Sequence, residues 1–123
     1  PPVQRQKAVE KQEALLCTLN TMAVQLRDAG NLEQSQSLFE QLVDGRRESN
    51  GDRHPLTLYA IGSLSSICRL RGDLGSAASL AREAAATAKE TLGGIHPDTL
   101  GLLTNLSSVL KDIGQLDEAE EIG

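Results

Sequence analysis

The stretch that decides the fold runs from Tyr59 to Pro97 and reads YAIGSLSSICRLRGDLGSAASLAREAAATAKETLGGIHP. Apolar residues recur at helical spacing before Gly72, and an alanine-rich segment of similar length follows it. Glycine adopts a left-handed backbone without steric cost, so Gly72 is a natural helix stop. The stretch therefore predicts two helices joined by a turn.

The same landmarks recur along the chain with one period. A glycine two residues before a leucine occurs at Gly30, Gly72 and Gly114, each 42 residues after the last. The dipeptide His54-Pro55 returns 42 residues later as His96-Pro97. Independent landmarks with one period indicate a repeat, and this period lies in the range of helical solenoids. We therefore expect an all-α fold built from helix–turn–helix repeats.

The period also divides the chain. Residues 1–14 are a helical N-terminal extension or the end of a preceding repeat, residues 15–57 are repeat 1, residues 58–99 are repeat 2, and residues 100–123 are a truncated repeat 3. The sequence lacks an initial Met and stops part-way through a unit, so we expect it to be a piece of a longer chain.

Turn residues set the expected helix limits. Gln12 and Glu13 replace the His-Pro dipeptide, so the first helix is either unusually long or preceded by the end of another helix. Each glycine of the three Gly-x-Leu landmarks is expected to end a helix, and proline suits a first helical position. The expected later helices are Leu32 to about Glu48, Pro55 to about Arg71, Leu74 to about Leu92, Pro97 to about Ile113, and a stub from Leu116 to Ile122.

Composition narrows the functional class. A net charge of -5 argues against nucleic acid as the main partner, because phosphate binding needs a basic face. No apolar run approaches the ~20 residues of a membrane span, which argues against a membrane partner. The two cysteines predict a reduced, cytoplasmic protein. No nucleophile, phosphate-loop or metal-ligand pattern is present, so neither catalysis nor a cofactor is expected, and His54 and His96 are interpreted as helix-entry residues.

Helix geometry predicts which residues line an exposed face of the first helices. The expected core positions in the three units are Leu19, Met22, Ala23 and Leu26; Ile61, Leu64, Ser65 and Cys68; and Leu103, Leu106, Ser107 and Leu110. The stripe beside them is Cys17, Asn20, Val24 and Arg27; Tyr59, Gly62, Ser66 and Arg69; and Gly101, Thr104, Ser108 and Lys111. We expect this stripe to line a groove.

Three basic residues share one position of that stripe. Arg27, Arg69 and Lys111 are equivalent, and neighbouring helices pack about 8–10 Å apart, so the three could line one groove. One hypothesis is that they contact an acidic peptide through charge pairing. The other is that they form a solvated stripe or pair with Asp28 and Asp112.

Three segments carry a family resemblance. They are His96-Pro97-Asp98-Thr99-Leu100, Thr104-Asn105-Leu106, and Gly114-Gln115-Leu116-Asp117-Glu118-Ala119-Glu120. Together they resemble tetratricopeptide repeats, and more narrowly the 42-residue variety of kinesin light chains. The resemblance covers about residues 15–123.

The resemblance implies a fold and a function. It implies a right-handed superhelix of helix pairs, with Ser35, Ala77 and Ala119 as the small packing residue of each second helix. It also implies an adaptor whose concave groove binds peptide segments of a partner protein, with Asn105 as the groove asparagine. The alternative is a sensor or oligomerisation segment of a larger regulatory protein, such as a nucleotide-switch protein. Because repeat 3 is truncated, we also expect self-association through the C-terminal end.

Overall fold

The computed structural model describes the backbone of residues 2–122 and the side chains of residues 2–115. Within residues 2–122 the chain forms five α-helices and no β-strand. They are α1 (Pro2–Asp28), α2 (Leu32–Asn50), α3 (Pro55–Leu70), α4 (Leu74–Thr91) and α5 (Pro97–Ile122). Each helix packs on the next along the chain, and α3 also packs on α5. This order of contacts is that of an α-solenoid, as the repeat predicts. No helix in residues 2–122 combines the length and the apolar character that crossing a bilayer requires.

Two of the predicted glycine turns have the same backbone geometry. Gly30 and Gly72 have φ values of 83° and 86°. In both turns the residue after the glycine donates its N–H to a carbonyl five residues earlier, at 2.8 Å. This is the Schellman arrangement, which satisfies carbonyls at a helix end. The long α1 also agrees with the first of the two expectations for the N-terminal region.

The third predicted turn is wrong. Gly114 lies inside α5, which continues to Ile122, and its φ is not positive. In the first two units a complete second helix packs back on the first and holds the turn. After Gly114 the sequence supplies nine residues, fewer than the ~12–15 that an isolated helix needs to be even marginally stable. Continuing the helix costs a glycine only about 1 kcal/mol, so the helix continues.

Histidine and threonine build the entry to α3 and α5 in the same way. His54 and His96 precede the helices, and each ring Nδ1 accepts the N–H of the residue two positions later at 3.1 Å. Thr57 and Thr99 are fully buried, and each hydroxyl lies 3.2–3.3 Å from a carbonyl of the preceding helix, eleven residues earlier. The interpretation of the histidines as helix-entry residues agrees with this geometry.

A serine hydroxyl joins the two helices at the centre of each complete unit. In the first unit Ser35 of α2 donates to the carbonyl of Ala23 in α1 at 2.7 Å. In the second unit Ser65 of α3 donates to the carbonyl of Ala77 in α4, also at 2.7 Å. Ala23 is equivalent to Ser65, and Ser35 to Ala77, so the units make the same bond with donor and acceptor helices exchanged. The third pair would include Ala119, whose side chain lies outside the described residues.

The expected core positions of α3 are buried, but those of α1 and α5 are less so. Leu64 is 8% exposed, and Leu106 packs against the same core while partly exposed. Met22 is 46% exposed and Leu110 is 39% exposed, and Ser107 is also exposed, so the expectation of burial was wrong for these three. The difference in burial follows from how many helices surround each one. The middle helix α3 packs on α2, α4 and α5, whereas α1 packs mainly on α2 and α5 mainly on α4.

The exchanged serine bond can be tested by moving it. Ser65→Ala should lower the free energy of unfolding by about 1 kcal/mol, because one buried hydrogen bond between helices is lost. Adding Ala77→Ser should restore most of that loss, since the double variant reproduces the arrangement of the first unit. Urea denaturation followed by circular dichroism measures both. A double variant no more stable than Ser65→Ala would contradict the exchange.

Candidate functional site

A cavity of about 550 Å3 opens on the face formed by α1, α3 and α5. Its lining comes almost wholly from these first helices and is mostly apolar or small, with Arg27 and Asp98 as its charged residues. Tyr59, the chain's single tyrosine, lines this cavity, and its side chain is 56% exposed. The first helices therefore present a concave, largely apolar surface.

The floor of this cavity depends on a glycine. A Cβ placed on Gly62 of α3 would lie 2.7 Å from Leu102 Cδ2 of α5, which is too close for any other residue without movement. Gly62 thus allows α5 to approach α3 closely. The same device joins α1 to α2, where a Cβ on Gly45 would overlap the buried Leu16 side chain.

Two of the predicted groove residues meet above that floor. Ser66 Oγ lies 3.3 Å from Asn105 Oδ1, and Asn105 Nδ2 lies 3.5 Å from the Gly62 carbonyl. Both side chains are part-buried and line the cavity. They connect α3 to α5, so their hydrogen-bonding capacity is largely used within the protein.

The three equivalent basic residues have different surroundings. Arg27 lies 3.3 Å from the neighbouring Asp28, and both side chains reach solvent. Arg69 Nε donates to Asp112 Oδ2 of α5 at 2.6 Å. Lys111 is exposed and makes no ion pair within the part of the chain whose side chains are described. Of these three cations, Arg69 is held between two helices, Arg27 lies beside an exposed carboxylate, and Lys111 is exposed.

The remaining predicted groove residues lie apart from the larger cavity. Thr104 is exposed and its hydroxyl donates to the Leu100 carbonyl of its own helix at 2.8 Å. Ser108 is half-buried. Asn20 lines a second cavity, of about 360 Å3, which is formed by α1, α2 and α3 and also borders Tyr59.

An ion pair missed by the sequence interpretation closes the base of this second cavity. Arg46 of α2 donates to both carboxylate oxygens of Glu13, at 2.6 and 3.1 Å, and its side chain is only 7% exposed. The hydrogen bond from Arg46 lowers the pKa of the Glu13 carboxyl, and the same bond raises the pKa of Arg46. Glu13 is equivalent to Pro55, and Arg46 to Ala88. The first unit thus has a carboxylate and a guanidinium where the second has a proline and an alanine. These two differences from the repeat are the signal from which the ion pair could have been predicted.

No three His, Cys, Asp or Glu side chains in the described part of the chain are grouped as a metal site. Cys68 is buried, and burial raises the pKa of its thiol, whereas Cys17 is exposed beside Glu13. The chemistry of this face is therefore that of apolar contact, hydrogen bonding and a few exposed charges.

The Tetratricopeptide repeat family model matches residues 14–90. The chain belongs to the tetratricopeptide repeat family. No curated protein is similar enough to count as a relative. A solved structure of nearly identical TPR-like repeats from a kinesin light chain of Podosopora anserina is similar, with a TM-score of 0.76 and 24% sequence identity over 86% of this chain. A single-residue variant of that protein gives a TM-score of 0.75 at the same identity and coverage.

The chain spans about half the length of these solved structures, covering 50% of each. At this identity the likeness concerns the fold alone. Tetratricopeptide repeats are a scaffold for protein interaction, and the 550 Å3 cavity of this chain opens on the face of the first helices.

Glu13→Gln should lower the free energy of unfolding at pH 7 by about 1–2 kcal/mol, because the buried Arg46 then loses its charged partner while solvent screens part of the effect. Folding lowers the pKa of Glu13, so its contribution is present above the ordinary value of 4.5 and is lost as the pH falls through the folded-state value. The difference between Glu13→Gln and wild type should therefore shrink on acidification.

The matched control for this change is Glu48→Gln, because Glu48 is an exposed carboxylate of α2. It should leave stability within about 0.5 kcal/mol of wild type at every pH. Denaturation between pH 7 and pH 3 gives both values. A stability difference for Glu13→Gln that stays constant across this range would contradict a charge-based role.

Proposed function

We propose that this chain is a non-enzymatic protein-interaction scaffold that binds peptide segments of a partner protein on the face formed by α1, α3 and α5. In this proposal it acts as an adaptor of the kinesin light chain type. The observation that carries the proposal is the 550 Å3 cavity on that face, whose lining is mostly apolar or small and includes two charged residues, Arg27 and Asp98. Binding sites for ligands are typically concave and mostly apolar, with a few polar groups that fix orientation.

An apolar anchor on the partner is supported by two exposed side chains. Tyr59 is 56% exposed and Leu56 is 42% exposed, and both line the cavity. A tyrosine offers a large, rigid contact area at low entropic cost, which is why such residues dominate binding energies at interfaces. The partner's apolar side chain would pack on this ring.

Acidic residues beside the anchor are supported by the available cations. Arg27 has an exposed neighbour, Asp28, and such exposed pairs contribute only about 0–1 kcal/mol, so a partner carboxylate can replace it. Lys111 offers a second charge, whereas Arg69 is held by Asp112. Affinity should be modest and should fall with salt, because exposed charges are screened beyond about 8 Å at physiological ionic strength.

Selection from a random peptide library displayed on phage tests this proposal. The selected peptides should be enriched in Asp and Glu around one apolar residue. Arg27→Glu should weaken a selected peptide by about tenfold, since it replaces attraction by repulsion, and Tyr59→Ala should weaken it through lost contact area. Fluorescence anisotropy with a synthetic copy of the peptide measures the dissociation constant.

Arg82→Glu is the matched control for charge. Arg82 is exposed on α4, a second helix away from the cavity, and the variant has the same net charge as Arg27→Glu. It should leave the dissociation constant unchanged. Selection of neutral or basic peptides, or equal weakening by both charge variants, would contradict the groove proposal.

A second candidate function is oligomerisation, and exposed apolar residues of α5 favour it. Leu100 is 50% exposed and Leu110 is 39% exposed, while Leu103 and Leu106 are partly buried. In α3 the positions equivalent to Leu106 and Leu110, Leu64 and Cys68, are covered by neighbouring helices. A second copy of the chain could cover α5 in the same way, as expected for an oligomerisation segment of a larger regulatory protein.

Light scattering during size-exclusion chromatography tests self-association. Wild type should show a mass that rises with concentration, and Leu110→Glu should reduce it, because a charge in an apolar interface is costly. Leu70→Glu is the control, since Leu70 is 56% exposed at the end of α3. A strict monomer at high concentration would rule out this function.

A further inference from the structure

The last turn of α2 ends in a chemically reactive dipeptide. Asparagine occurs at positions 20, 31, 50 and 105, and only Asn50 is followed by a glycine. The backbone nitrogen after an asparagine can attack the side-chain amide carbon, and a side chain on that next residue hinders the approach. Glycine has no Cβ, so the Asn50-Gly51 dipeptide has the least hindered nucleophile of the four.

The surroundings of this dipeptide leave the reaction open. Gly51 is exposed, its φ is 92°, and a Cβ placed on it would meet no atom within 4 Å. Asn50 is the last residue of α2, and its Oδ1 accepts a hydrogen bond from Arg46 Nη1 at 3.3 Å. A donor on the carbonyl oxygen stabilises the negative charge that develops there when the carbon is attacked.

One backbone hydrogen bond holds the attacking nitrogen. The Gly51 N–H donates to the Arg47 carbonyl at 3.0 Å and closes the last turn of α2. The nitrogen can attack only when this bond opens, and helix ends open at a much lower free-energy cost than helix interiors. Asp44-Gly45 is the comparison within the chain, because an Asp-Gly pair reacts through the same ring. It lies inside α2 with Gly45 packed on Leu16, so we expect no reaction there.

We propose that Asn50 is a site of spontaneous covalent modification, through attack of the Gly51 backbone nitrogen on the Asn50 side-chain carbonyl carbon. A C–N bond forms and closes a succinimide ring, and the C–N bond of the side-chain amide breaks. The amide nitrogen leaves as ammonia, taking the proton lost from the Gly51 N–H. Water then opens the ring at either carbonyl, which gives aspartate or isoaspartate. The reaction needs no enzyme, oxidant or partner protein.

The product places a second carboxylate beside Arg46. Arg46 Nη1 already donates to Glu13 at 2.6 Å as well as to Asn50. After the reaction two like charges share one guanidinium, so the contact between α1 and α2 through Glu13 weakens. Isoaspartate also lengthens the main chain before Gly51, whose carbonyl accepts from the buried Thr57 hydroxyl at 2.7 Å. The modification therefore loosens the junction between the first two units.

Incubation of the whole chain at neutral pH, followed by tryptic digestion and mass spectrometry, tests the proposal. Trypsin cleaves after Arg47 and Arg53, so Asn50 is the only asparagine of the peptide 48–53. That peptide should gain the mass of an acid and separate into two isomers, while the other asparagines stay unchanged. Conversion should be about tenfold slower than in a capped synthetic peptide of residues 48–53, because two hydrogen bonds must open first.

Asn50→Leu is the matched control, because Leu92 occupies the equivalent position before Gly93, whose φ is 93°. On ion exchange the incubated wild type should shift to a more negative species, and Asn50→Leu should not shift. Asn50→Asp reproduces one of the two products. In this background the loss of stability caused by Glu13→Gln should be smaller than in wild type, as measured by urea denaturation.

A wild-type chain that stays unmodified while the synthetic peptide converts fully would overturn the proposal, because the last turn of α2 would then not open. Conversion of Asn31 or Asn105 as fast as Asn50 would overturn it too. Isomerisation of Asp44 at the rate of Asn50 would contradict control by opening of the helix end. An equal effect of Glu13→Gln in the wild-type and Asn50→Asp backgrounds would contradict the shared guanidinium.

Discussion

The structure depends on how closely the two helices of each unit can approach. At the centre of the first two units a small residue faces another small residue, and one serine hydroxyl bonds the carbonyl opposite at 2.7 Å. A larger side chain at Ala23 or Ala77 would separate the helices, because both are fully buried. The bond works from either helix, so the repeat constrains the pair of residues and leaves open which of them carries the hydroxyl. This explains why the two units share a geometry without sharing the sequence at these positions.

Much of the fold followed from local signals in the sequence. The glycine turns at 30 and 72, the helix entries at His54 and His96, and the bounds of the middle helices to within about two residues are set by short-range backbone geometry. The turn at Gly114 failed because a glycine permits a left-handed turn but does not impose one. A second helix that packs back is also needed, and the nine residues after Gly114 are too few to supply it.

The candidate site was less predictable because it depends on contacts between elements. Helix geometry placed Arg27, Tyr59 and Ser66 on one face, the family resemblance added Asn105, and all four line one cavity in the structure. The sequence allows Arg69 either to face a partner or to pair with Asp112, and the structure shows the pair across two helices. Glu13 of α1 and Arg46 of α2 are 33 residues apart in the sequence. A pattern read along the face of a single helix cannot predict a contact between two helices.

One repeat position explains why the two cavities differ. In α3 it holds Gly62, which faces Leu102 and lets α5 approach until the helices touch. In α1 the same position holds Asn20, and the residue equivalent to Leu102 is Ala60. The cavity between α3 and α5 is therefore lined at this position by a glycine and a leucine, whereas the smaller cavity has an amide there. A repeat can therefore vary the lining of this surface from unit to unit at one position while the core positions, one stripe away, keep the helices in register. Tyr59 borders both spaces, so the two cavities share one wall.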